Sequence, residues 1–402
     1  WGLDAAEIGT VTDTGKLVVK DHGTVVAEID NRALADEAPV YNRPFTEPLR
    51  TAPMEGPVFA SRDLAADLEA LVASPDICSK RWIWEQYDYL VRSNTLAGPG
   101  ADAAIVRIKE TGTSIAMALD GNGRYCSLSP REGAKLIVAE CCRNLSTVGA
   151  LPVATTNNLN FGNPERPEIM AQLVEAIEGM GEACSFFEVP ITGGNVSLYN
   201  ETLGEPIFPS PVVGVVGLMK TAMPVGIGFV AEGRTIVLLG GAGQCDSVRF
   251  GGTQYAKVVL DALWGLPPAL DLQYEKSVQA AIREIVAGGY AESAHDLADG
   301  GLAVALAEAA FPHGIGARVA LDSAERAEHL LFHEGPSRIL VSTTSPEDVR
   351  RIAAAHGVEA LVIGVTVASK LEICNRGELL IDRDVNILKR RWESALEGML
   401  HG

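Results

Sequence analysis

The segment Pro152–Met180, PVATTNNLNFGNPERPEIMAQLVEAIEGM, decides the fold class because it joins a strand pattern to a helix pattern. Its first residues are apolar and typical of a short strand, and a dense run of threonine and asparagine follows them. Pro164 and Pro167 then favour the start of a helix, whose apolar side is predicted to carry Ile169, Leu173, Val174, Ile177 and Met180. A polar cluster between a strand and a helix is where α/β proteins place ligands, although asparagine and glycine also form turns for backbone reasons alone.

The same alternation of strand and helix patterns continues through most of the chain and predicts the α/β or α+β class. We expect one domain over residues 61–220 and a second over residues 225–402, separated at the segment TAMPVGIGF. The proline-rich residues 46–60 are predicted to be a linker in front of the first domain. The apolar stretch PIFPSPVVGVVGLMK is predicted to be a buried strand, because its length and prolines do not suit a membrane helix.

Two segments near the ends of the chain resemble each other. In both, a Lys-Leu pair is followed at the same spacing by a glycine and then by a leucine: Lys16, Gly23 and Leu34 in one, Lys370, Gly377 and Leu388 in the other. Both predict two strands joined by a turn and followed by a short helix. Chance similarity between two hairpins is the alternative. If the repeat is real, residues 1–45 form the tail of a preceding domain, and the chain is the second half of a duplicated protein.

The charge of the chain argues against several classes of protein. With 33 basic and 52 acidic residues among 402, the net charge is −19, which disfavours a general nucleic-acid surface. It favours an acidic cytoplasmic protein. The seven cysteines are scattered and suggest no disulfide framework, and Cys141 and Cys142, in an apolar helical run, are predicted to be small buried thiols. No apolar run reaches the roughly 20 residues of a membrane span.

The segment TGGNVSLYNE, residues 192–201, follows a predicted strand, SFFEVPIT, and is a candidate ligand loop. Gly193 and Gly194 permit positive φ and close approach of a backbone to phosphate oxygens. Asn195 can offer a carbonyl oxygen to a hard cation, and Ser197 can offer a hydroxyl to a phosphate or ribose. A turn in a β-ribbon would have the same sequence, so the residues alone leave both interpretations open. The polar run after Ala154 and this segment are expected to be neighbouring strand ends, which favours a shared phosphate site over a site formed by either segment alone.

Two further segments contain polar residues at helix starts. In AHDLADGGLAVALAE, Asp296 and Asp299 precede a glycine pair and an apolar helix, so they are either metal ligands or capping residues. His295 has no second histidine or cysteine at ligand spacing, and we predict no zinc site. In SPREGAKLIVAECCRNLSTVGA, Ser129 and Glu132 have the spacing of a capping box at the start of a long helix, and Gly149 is predicted to end it. Arg143 lies near the C-terminal end of this helix, and a plain buried helix is the favoured interpretation.

Seven motifs, in order along nearly the whole chain, resemble the family of large synthetase subunits of phosphoribosylformylglycinamidine synthase: DAAIVRI, EGAKLIVAECCRNLSTVGALPVATTNNLNFGNPERPE, TGGNVSLYNET, PVVGVVGLM, GGTQYAK, AHDLADGGLAVALAE and HEGPSRILVS. The resemblance implies the aminoimidazole ribonucleotide synthetase-like fold, in which a barrel-forming α+β domain precedes an α/β domain. It also implies conversion of formylglycinamide ribonucleotide, ATP and ammonia to the amidine, ADP and phosphate, with Mg²⁺. In this family a separate glutaminase subunit supplies the ammonia, and a small bridging subunit completes the complex.

The same resemblance assigns roles residue by residue. Asn157 and Gly194 match ATP-binding positions, Asn195 matches a Mg²⁺ ligand, and Ser197 matches a substrate contact. The family usually has aspartate at the position of Asn157, so cation or ATP affinity there is in doubt. The general-base histidine, the principal Mg²⁺ carboxylates and the nucleotide-binding lysine belong to the other half, so the resemblance places no catalytic residue in this chain. HEGPSR lacks the Ser-Gln pair of the first half's substrate loop, which predicts a degenerate second-half pocket.

Three functions are compatible with these observations. The chain is the C-terminal half of the ligase and inactive alone, a non-catalytic nucleotide-binding scaffold half, or a stand-alone kinase-like relative. Two copies of the chain could also pair through their barrel domains. No partner is predicted among nucleic acids or membranes.

Overall fold

The computed structural model describes residues 2–219, 224–243 and 245–401, and it divides into a small unit up to Pro44 and a large unit from Phe45 onward. The predicted separator TAMPVGIGF lies partly outside the described residues. The small unit contains β1 (Lys16–Asp21), β2 (Thr24–Asp30) and α1 (Asn31–Leu34). β1 and β2 are antiparallel, and the turn between them has φ of 48° at His22 and 83° at Gly23. Positive φ at both central residues is the geometry of a type I′ hairpin.

The first part of the large unit contains a six-stranded sheet with the order β3-β4-β5-β10-β6-β7. Its elements in chain order are α2 (Leu64–Val72), α3 (Arg81–Trp84), β3 (Thr95–Ala97), β4 (Ala104–Ile108), β5 (Thr113–Asp120), α4 (Gly123–Leu128), α5 (Pro130–Thr147), β6 (Leu151–Asn160), α6 (Pro167–Phe187), β7 (Ile191–Ser197), β8 (Glu201–Thr202), β9 (Glu205–Pro206) and β10 (Ser210–Met219). Neighbouring strands of this sheet are antiparallel except β6 and β7, which α6 connects in parallel.

The two faces of this sheet have different surroundings. Helices α5 and α6 cover one face, where Ile137, Cys141 and Met180 belong to a buried apolar cluster. Large apolar side chains are exposed on the strands of the sheet, among them Met117, Leu119, Leu151 and Leu218. Of the stretch 206–220 that is predicted to be a buried strand, Ser210–Met219 forms β10, whereas Ile207 and Phe208 precede the strand and are exposed. The predicted buried thiols Cys141 and Cys142 are confirmed.

Three local predictions in this region are wrong. The polar run from Thr155 to Asn160 does not follow a strand, because it forms the second half of β6. The segment SFFEVPIT is not a strand, because α6 extends to Phe187 and ends at the left-handed residue Glu188. Ile177 does not belong to the buried side of α6, since its side chain is 48% exposed.

The predicted capping box at α5 is also wrong. Ser129 occupies the N-cap position and Pro130 begins the helix, but the Ser129 side chain makes no capping hydrogen bond. Glu132 pairs with Lys135 at 2.9 Å. The predicted end of the helix is confirmed, because α5 ends at Thr147 and Gly149 follows with a φ of 85°.

The second part of the large unit contains a seven-stranded sheet with the order β12-β14-β11-β15-β13-β16-β17. Its elements in chain order are β11 (Thr235–Leu239), α7 (Gln254–Val258), α8 (Leu272–Ala287), β12 (Ser293–Asp296), α9 (Gly301–Ala310), β13 (Gly316–Leu321), α10 (Ala327–Phe332), β14 (Ile339–Thr343), α11 (Pro346–Ala355), β15 (Ala360–Val367), β16 (Lys370–Asn375), β17 (Glu378–Asp384) and α12 (Val385–His401). Along β11, Ile236 and Leu238 pack with α9, whereas Val237 and Leu239 pack with α8 and α11. This alternation, expected of a strand buried on both faces, puts helices on both sides of the sheet.

The β16–β17 hairpin has the same internal geometry as the β1–β2 hairpin. The turn residues Arg376 and Gly377 have φ of 49° and 83°, close to the values at the first turn. The register is interrupted three residues after the first lysine in both hairpins, between Val19 and Lys20 and between Ile373 and Cys374. The two hairpins therefore match in turn type and bulge position, which chance similarity does not explain well.

The two hairpins differ in burial. β16 lies parallel to β13, and Leu371 and Ile373 are fully buried against the core. Leu17 and Val19 have the equivalent positions in β1 and are 49% and 46% exposed. The first hairpin thus has apolar residues at the positions that the second hairpin uses to join a sheet.

Among the residues that the structure describes, no helix has both the length and the apolar character needed to cross a membrane.

Candidate functional site

The predicted site residues lie on the paired strands β6 and β7 at one edge of the first sheet. Asn157 is opposite Gly194, Asn158 is opposite Asn195, and Asn160 is opposite Ser197. This pairing follows from the β6–α6–β7 connection, which brings the polar half of β6 beside the glycine-containing strand. The sequence therefore predicted correctly that the two segments lie together, but they form two strands and no ligand loop.

Asn157 and Gly194 lie close together on the side of the sheet that α6 covers. The half-buried Asn157 side chain reaches Met180 of α6, with Nδ2 at 3.5 Å from Sδ. A Cβ at position 194 would lie 2.1 Å from Asn157 Oδ1. Neither Gly193 nor Gly194 has positive φ, so the predicted reason for this glycine pair is wrong. Glycine is required at position 194 because the Asn157 side chain occupies the space that a Cβ at this position would need.

This contact predicts different effects of alanine at two neighbouring glycines. Gly194→Ala should lower the free energy of unfolding by about 1–3 kcal/mol, because the new methyl group overlaps a half-buried amide. Gly193→Ala is the matched control, since nothing lies within 4 Å of a Cβ there. Urea unfolding of both variants checks the prediction, and equal stability of the two would contradict it.

Asn195 and Ser197 have different partners from this first pair. The exposed Asn195 side chain donates from Nδ2 to Asn158 Oδ1 at 3.0 Å, which directs its amide oxygen away from this bond. Asn200 Nδ2 donates to Ser197 Oγ at 3.1 Å and to the carbonyl oxygen of Phe161 at 3.0 Å. Asn158 and Asn200 thus orient the two predicted residues. The sequence assigned no role to Asn158 or Asn200, although Asn158 belongs to the polar run between Thr155 and Asn160.

A second cluster of polar residues, around Arg143, is buried between the two parts of the large unit. The Arg143 side chain is 2% exposed, and its Nη1 donates to both carboxylate oxygens of Glu275 at 3.1 and 3.2 Å. Its Nε donates to Asp296 Oδ2 at 3.3 Å. The Asn144 amide faces Asp296 and, with its nitrogen on that side, donates to both oxygens at 3.0 and 3.2 Å. The sequence placed Arg143 in a plain buried helix and missed this network.

Asp296 and Asp299 do not cap α9, so the capping interpretation is wrong. The N-cap of that helix is Gly300, which has a φ of 78° and makes no side-chain bond. Asp296 belongs to β12 and binds Arg143, whereas Asp299 Oδ2 accepts from Gln254 Nε2 at 3.4 Å. The carboxylates of Asp296 and Asp299 therefore have separate partners, Arg143 and Gln254.

His295 is held between two carboxylates. Its Nδ1 is 2.6 Å from Asp102 Oδ1, and its Nε2 is 3.2 Å from Glu308 Oε2. Burial favours the neutral ring, but the two carboxylates outweigh it and raise the pKa of His295 well above its usual range. One ligand atom each of Asp102, His295 and Asp296 lies within 4.8 Å of the others, which is compatible with a metal ion. Protonated His295 pairs with both Asp102 and Glu308 without a metal ion.

Several carboxylic acids near these networks have raised pKa values, among them the buried Glu334 and Asp296. Burial, and then the charge of Asp299, raises the pKa of Glu334 to about 8. Burial is also the largest cause of the raised pKa of Asp120 and Asp296. Glu334 Oε1 accepts from the backbone nitrogens of Gln254 and Gly300, both at 2.7 Å.

These shifts predict that the protein loses stability as the pH rises from about 4 to 8, which is the interval between the ordinary carboxyl pKa and the raised pKa of Glu334. A carboxyl group whose pKa is higher in the folded than in the unfolded protein binds its proton more tightly when folded. The stabilisation is complete below the unfolded pKa and is lost as the pH passes the folded value. Glu334→Gln, which mimics the protonated group, should flatten this dependence by about 2–4 kcal/mol, because Glu334 is 5% exposed and its shift spans most of this range. Urea unfolding across this range checks it, with the exposed Glu347→Gln as control. A slope that Glu334→Gln leaves unchanged would contradict it.

Comparison with known proteins identifies the two parts of the large unit. The family description "AIR synthase related protein, N-terminal domain" matches residues 100–219, and "AIR synthase related protein, C-terminal domain" matches residues 231–374. The phosphoribosylformylglycinamidine synthase subunit PurL of Moorella thermoacetica is 44% identical over 403 residues, covering 98% of this chain and 54% of the relative. PurL of a Bradyrhizobium species is 42% identical, covering 100% of this chain and 54% of the relative.

Two solved structures have the same fold. Thermotoga maritima PurL complexed with FGAR matches with a TM-score of 0.67 and 21% identity, covering 82% of this chain and 54% of that chain. T. maritima PurL complexed with ATP matches with a TM-score of 0.63 and 21% identity, covering 82% and 52%. The chain spans about half the length of the curated relatives it matches. The predicted synthetase-like α+β fold is thereby confirmed, and the chain belongs to the AIR synthase related family and, within it, to the PurL group of phosphoribosylformylglycinamidine synthase subunits.

Proposed function

We propose that this chain forms one wall of an ATP-dependent ligase site that converts formylglycinamide ribonucleotide, ATP and ammonia to formylglycinamidine ribonucleotide, ADP and phosphate. The observation that carries the proposal is the 44% identity to a PurL subunit over 98% of this chain. The related T. maritima structures were solved with FGAR and with ATP, which are two of the three reactants. The remaining wall is expected in the part of the relatives that this chain does not cover, together with the general-base histidine.

The edge formed by β6 and β7 is the proposed contact with the reactants. Asn157 and Gly194 are assigned to ATP, and Ser197 is assigned to the ribonucleotide. Asn195 is assigned to Mg²⁺, and its chemistry fits, because the Asn195 amide nitrogen is engaged by Asn158 and the oxygen is the type of ligand that Mg²⁺ prefers. Bound Mg²⁺ would offset phosphate charge. Asp296 is a weaker candidate ligand because Arg143 already neutralises it.

The chemistry assigned to this wall is binding and orientation. ATP transfers its terminal phosphoryl group to the formyl-amide oxygen, and ammonia then displaces phosphate from the activated carbon. Phosphoryl transfer depends largely on alignment of the reactants and on charge stabilisation. Asn158 and Asn200 support that alignment by holding the amide of Asn195 and the hydroxyl of Ser197.

We infer that the exposed apolar side chains of the first sheet belong to an interface. Met117, Leu119, Leu151 and Leu218 are 40–76% exposed, although they lie on strands of a well-formed sheet. Exposed apolar groups of this size on one element are typical of protein–protein contacts. The proposed partner is the equivalent sheet of a preceding half, which would close a barrel. A second copy of this chain is the alternative, and a glutaminase subunit and a small bridging subunit are proposed as further partners in the cytoplasm.

We also infer that residues 1–45 complete a preceding domain. The β1–β2 hairpin has the turn, the bulge position and the cross-strand lysine–carboxylate pair of the β16–β17 hairpin. Leu17 and Val19 would then add to a sheet of the preceding domain as Leu371 and Ile373 add to β13. Residues 46–60 would connect the two halves.

The isolated chain should release no ADP from ATP above the buffer rate, with or without formylglycinamide ribonucleotide, because it provides only one wall of the site. A coupled ADP assay with ammonium chloride as the nitrogen source measures this directly. Steady ADP release by the chain alone would refute the half-site proposal. That result would favour the stand-alone kinase-like alternative.

A further inference from the structure

Tyr199, two residues after the end of β7, has a backbone conformation that bulky residues rarely adopt. Its φ is 61°, in the left-handed region where a Cβ is strained and glycine is not. A residue keeps such a conformation only where its surroundings impose it, and such residues cluster at functional sites. Tyr199 is also close in sequence to Ser197, which is assigned to the ribonucleotide. The strained residue and the candidate site therefore belong to one short segment.

Hydrogen bonds to the loop after β6 impose the left-handed backbone. The backbone nitrogen of Tyr199 donates to the Gly162 carbonyl oxygen at 3.0 Å, and that of Asn200 donates to the Phe161 carbonyl oxygen at 3.1 Å. The chain reverses here, so the Asn200 side chain reaches back to donate to Ser197 Oγ at 3.1 Å. This turn requires a left-handed residue at position 199. It does not require a tyrosine, because glycine would form the same turn without strain.

The tyrosine side chain receives little stabilisation from the rest of the chain. Tyr199 is 53% exposed, so burial of its ring does not offset the strain. Its hydroxyl donates to Glu165 Oε1 at 3.2 Å, and this hydrogen bond is exposed. Such a bond adds little to stability, because water would replace either partner, but it fixes the direction of the ring. The tyrosine is therefore better explained by a contact outside this chain than by folding.

The position of Tyr199 along the chain indicates which reactant it meets. A strand advances by about 3.3 Å per residue, so Ser197 lies about 10 Å from Gly194, and Tyr199 follows on the far side of Ser197. Gly194 is assigned to ATP, so the ring is at the ribonucleotide end of the segment. A tyrosine ring has apolar faces and a polar tip. Glu165 engages the tip, which leaves an exposed face for the carbon atoms of a sugar.

We propose that Tyr199 is a specificity-determining residue of the ligase site, and that its ring packs against the ribose of formylglycinamide ribonucleotide. The assignment of Ser197 to this reactant comes from the proposed function, so the role of Tyr199 rests on that function. A ribose contact explains why a tyrosine occupies a position where glycine is less strained. Glycine would keep the turn that holds Ser197 and would lose the contact. A contact of the ring with the preceding half of the protein is the alternative.

Unfolding of the isolated chain by urea tests whether the tyrosine is structural. Tyr199→Gly should leave the midpoint unchanged or raise it, because glycine relieves the strain and little burial is lost. Leu203→Gly is the matched control, since Leu203 has a φ of 54° and a fully exposed side chain. A midpoint that falls with Tyr199→Gly but not with Leu203→Gly would show that the ring stabilises the fold, and would overturn the proposal.

Steady-state kinetics test the contact itself, in a complete enzyme in which this chain replaces the matching part of the M. thermoacetica relative. Tyr199→Gly and Tyr199→Asn, both suited to positive φ, should raise KM for formylglycinamide ribonucleotide about tenfold and leave KM for ATP within about twofold. Tyr199→Phe keeps the ring and should raise the first KM by no more than about threefold. Leu203→Gly should change neither KM.

The outcomes separate the role of Tyr199 from the ligase function. An active parent enzyme in which Tyr199→Gly leaves both KM values unchanged would overturn the role of Tyr199 alone. Equal increases in the two KM values would overturn it as well. Lower stability of the complete enzyme with both KM values unchanged would overturn it in favour of a contact with the preceding half. A parent enzyme that folds but forms no amidine would refute the proposed function, and the role of Tyr199 with it.

Discussion

Replacing Arg143 by methionine should destabilise the chain by about 3–5 kcal/mol, because the change removes the cation from a buried ion cluster. Glu275 is fully buried and Asp296 is nearly so, and Arg143 is the residue that pairs with both. Ser337 Oγ at 2.6 Å and Gln279 Nε2 at 2.9 Å also donate to Glu275, but neither supplies a charge. Urea unfolding at neutral pH measures the loss.

The double variant Arg143→Met/Glu275→Gln separates the charge from the packing. It replaces one of the two carboxylates that lose their partner, Glu275, and should recover part of the lost free energy of unfolding, because a neutral amide costs less to bury than an unpaired charge. The exposed Arg350→Met, at a surface ion pair, should cost no more than about 1 kcal/mol. A loss below about 1 kcal/mol for Arg143→Met would show that the cluster is open to water.

Replacing Asn195 or Ser197 by alanine should reduce amidine formation by about 10- to 100-fold in a complete enzyme. Each change removes one hydrogen-bonding or ligand group toward a charged reactant, and such groups contribute about 1.5–3 kcal/mol. The complete enzyme for this test is a chimera in which this chain replaces the matching part of the M. thermoacetica relative. The measurement is the steady-state rate with ammonium chloride as nitrogen source.

The controls for this test come from α12, away from the first sheet. Asn386→Ala and Ser394→Ala remove the same types of side chain from exposed positions and should leave the rate unchanged. A normal rate for the folded Asn195 and Ser197 variants would favour the scaffold alternative. In that case this half would bind nucleotide and stabilise the pair without contributing to the ligase site.

The sequence predicted the fold class and the meeting of the two candidate segments correctly. Periodic apolar residues sufficed for α5, α6 and β10, because each buries one side against the core. The polar half of β6 was not recognisable as a strand, because asparagine is uncommon in strands. The local sequence also does not indicate that these residues lie on an exposed part of the sheet. Gly194 was noted, but its role depends on Asn157, a residue 37 positions earlier whose side chain only the strand pairing brings close.

The buried charges were the least predictable feature. Arg143 meets Glu275 and Asp296 across separations of 132 and 153 residues, so no window of sequence contains the network. The two aspartates of the motif AHDLADGG were recognised as candidate site residues. The motif alone could not distinguish a helix-capping residue from an ion-pair partner of a residue in another helix. Gly300, with its positive φ, starts α9 without help from either aspartate. Which acid pairs with which base depends on the packing of the two parts of the large unit.

The rate of amidine formation by the chimera, compared with this chain alone, tests the central claim most directly. We predict that the chimera forms formylglycinamidine ribonucleotide and ADP in equal amounts from ATP, formylglycinamide ribonucleotide and ammonium. The isolated chain should form neither product. A chimera that folds and binds ATP but forms no amidine, or an isolated chain that forms it, would contradict the account.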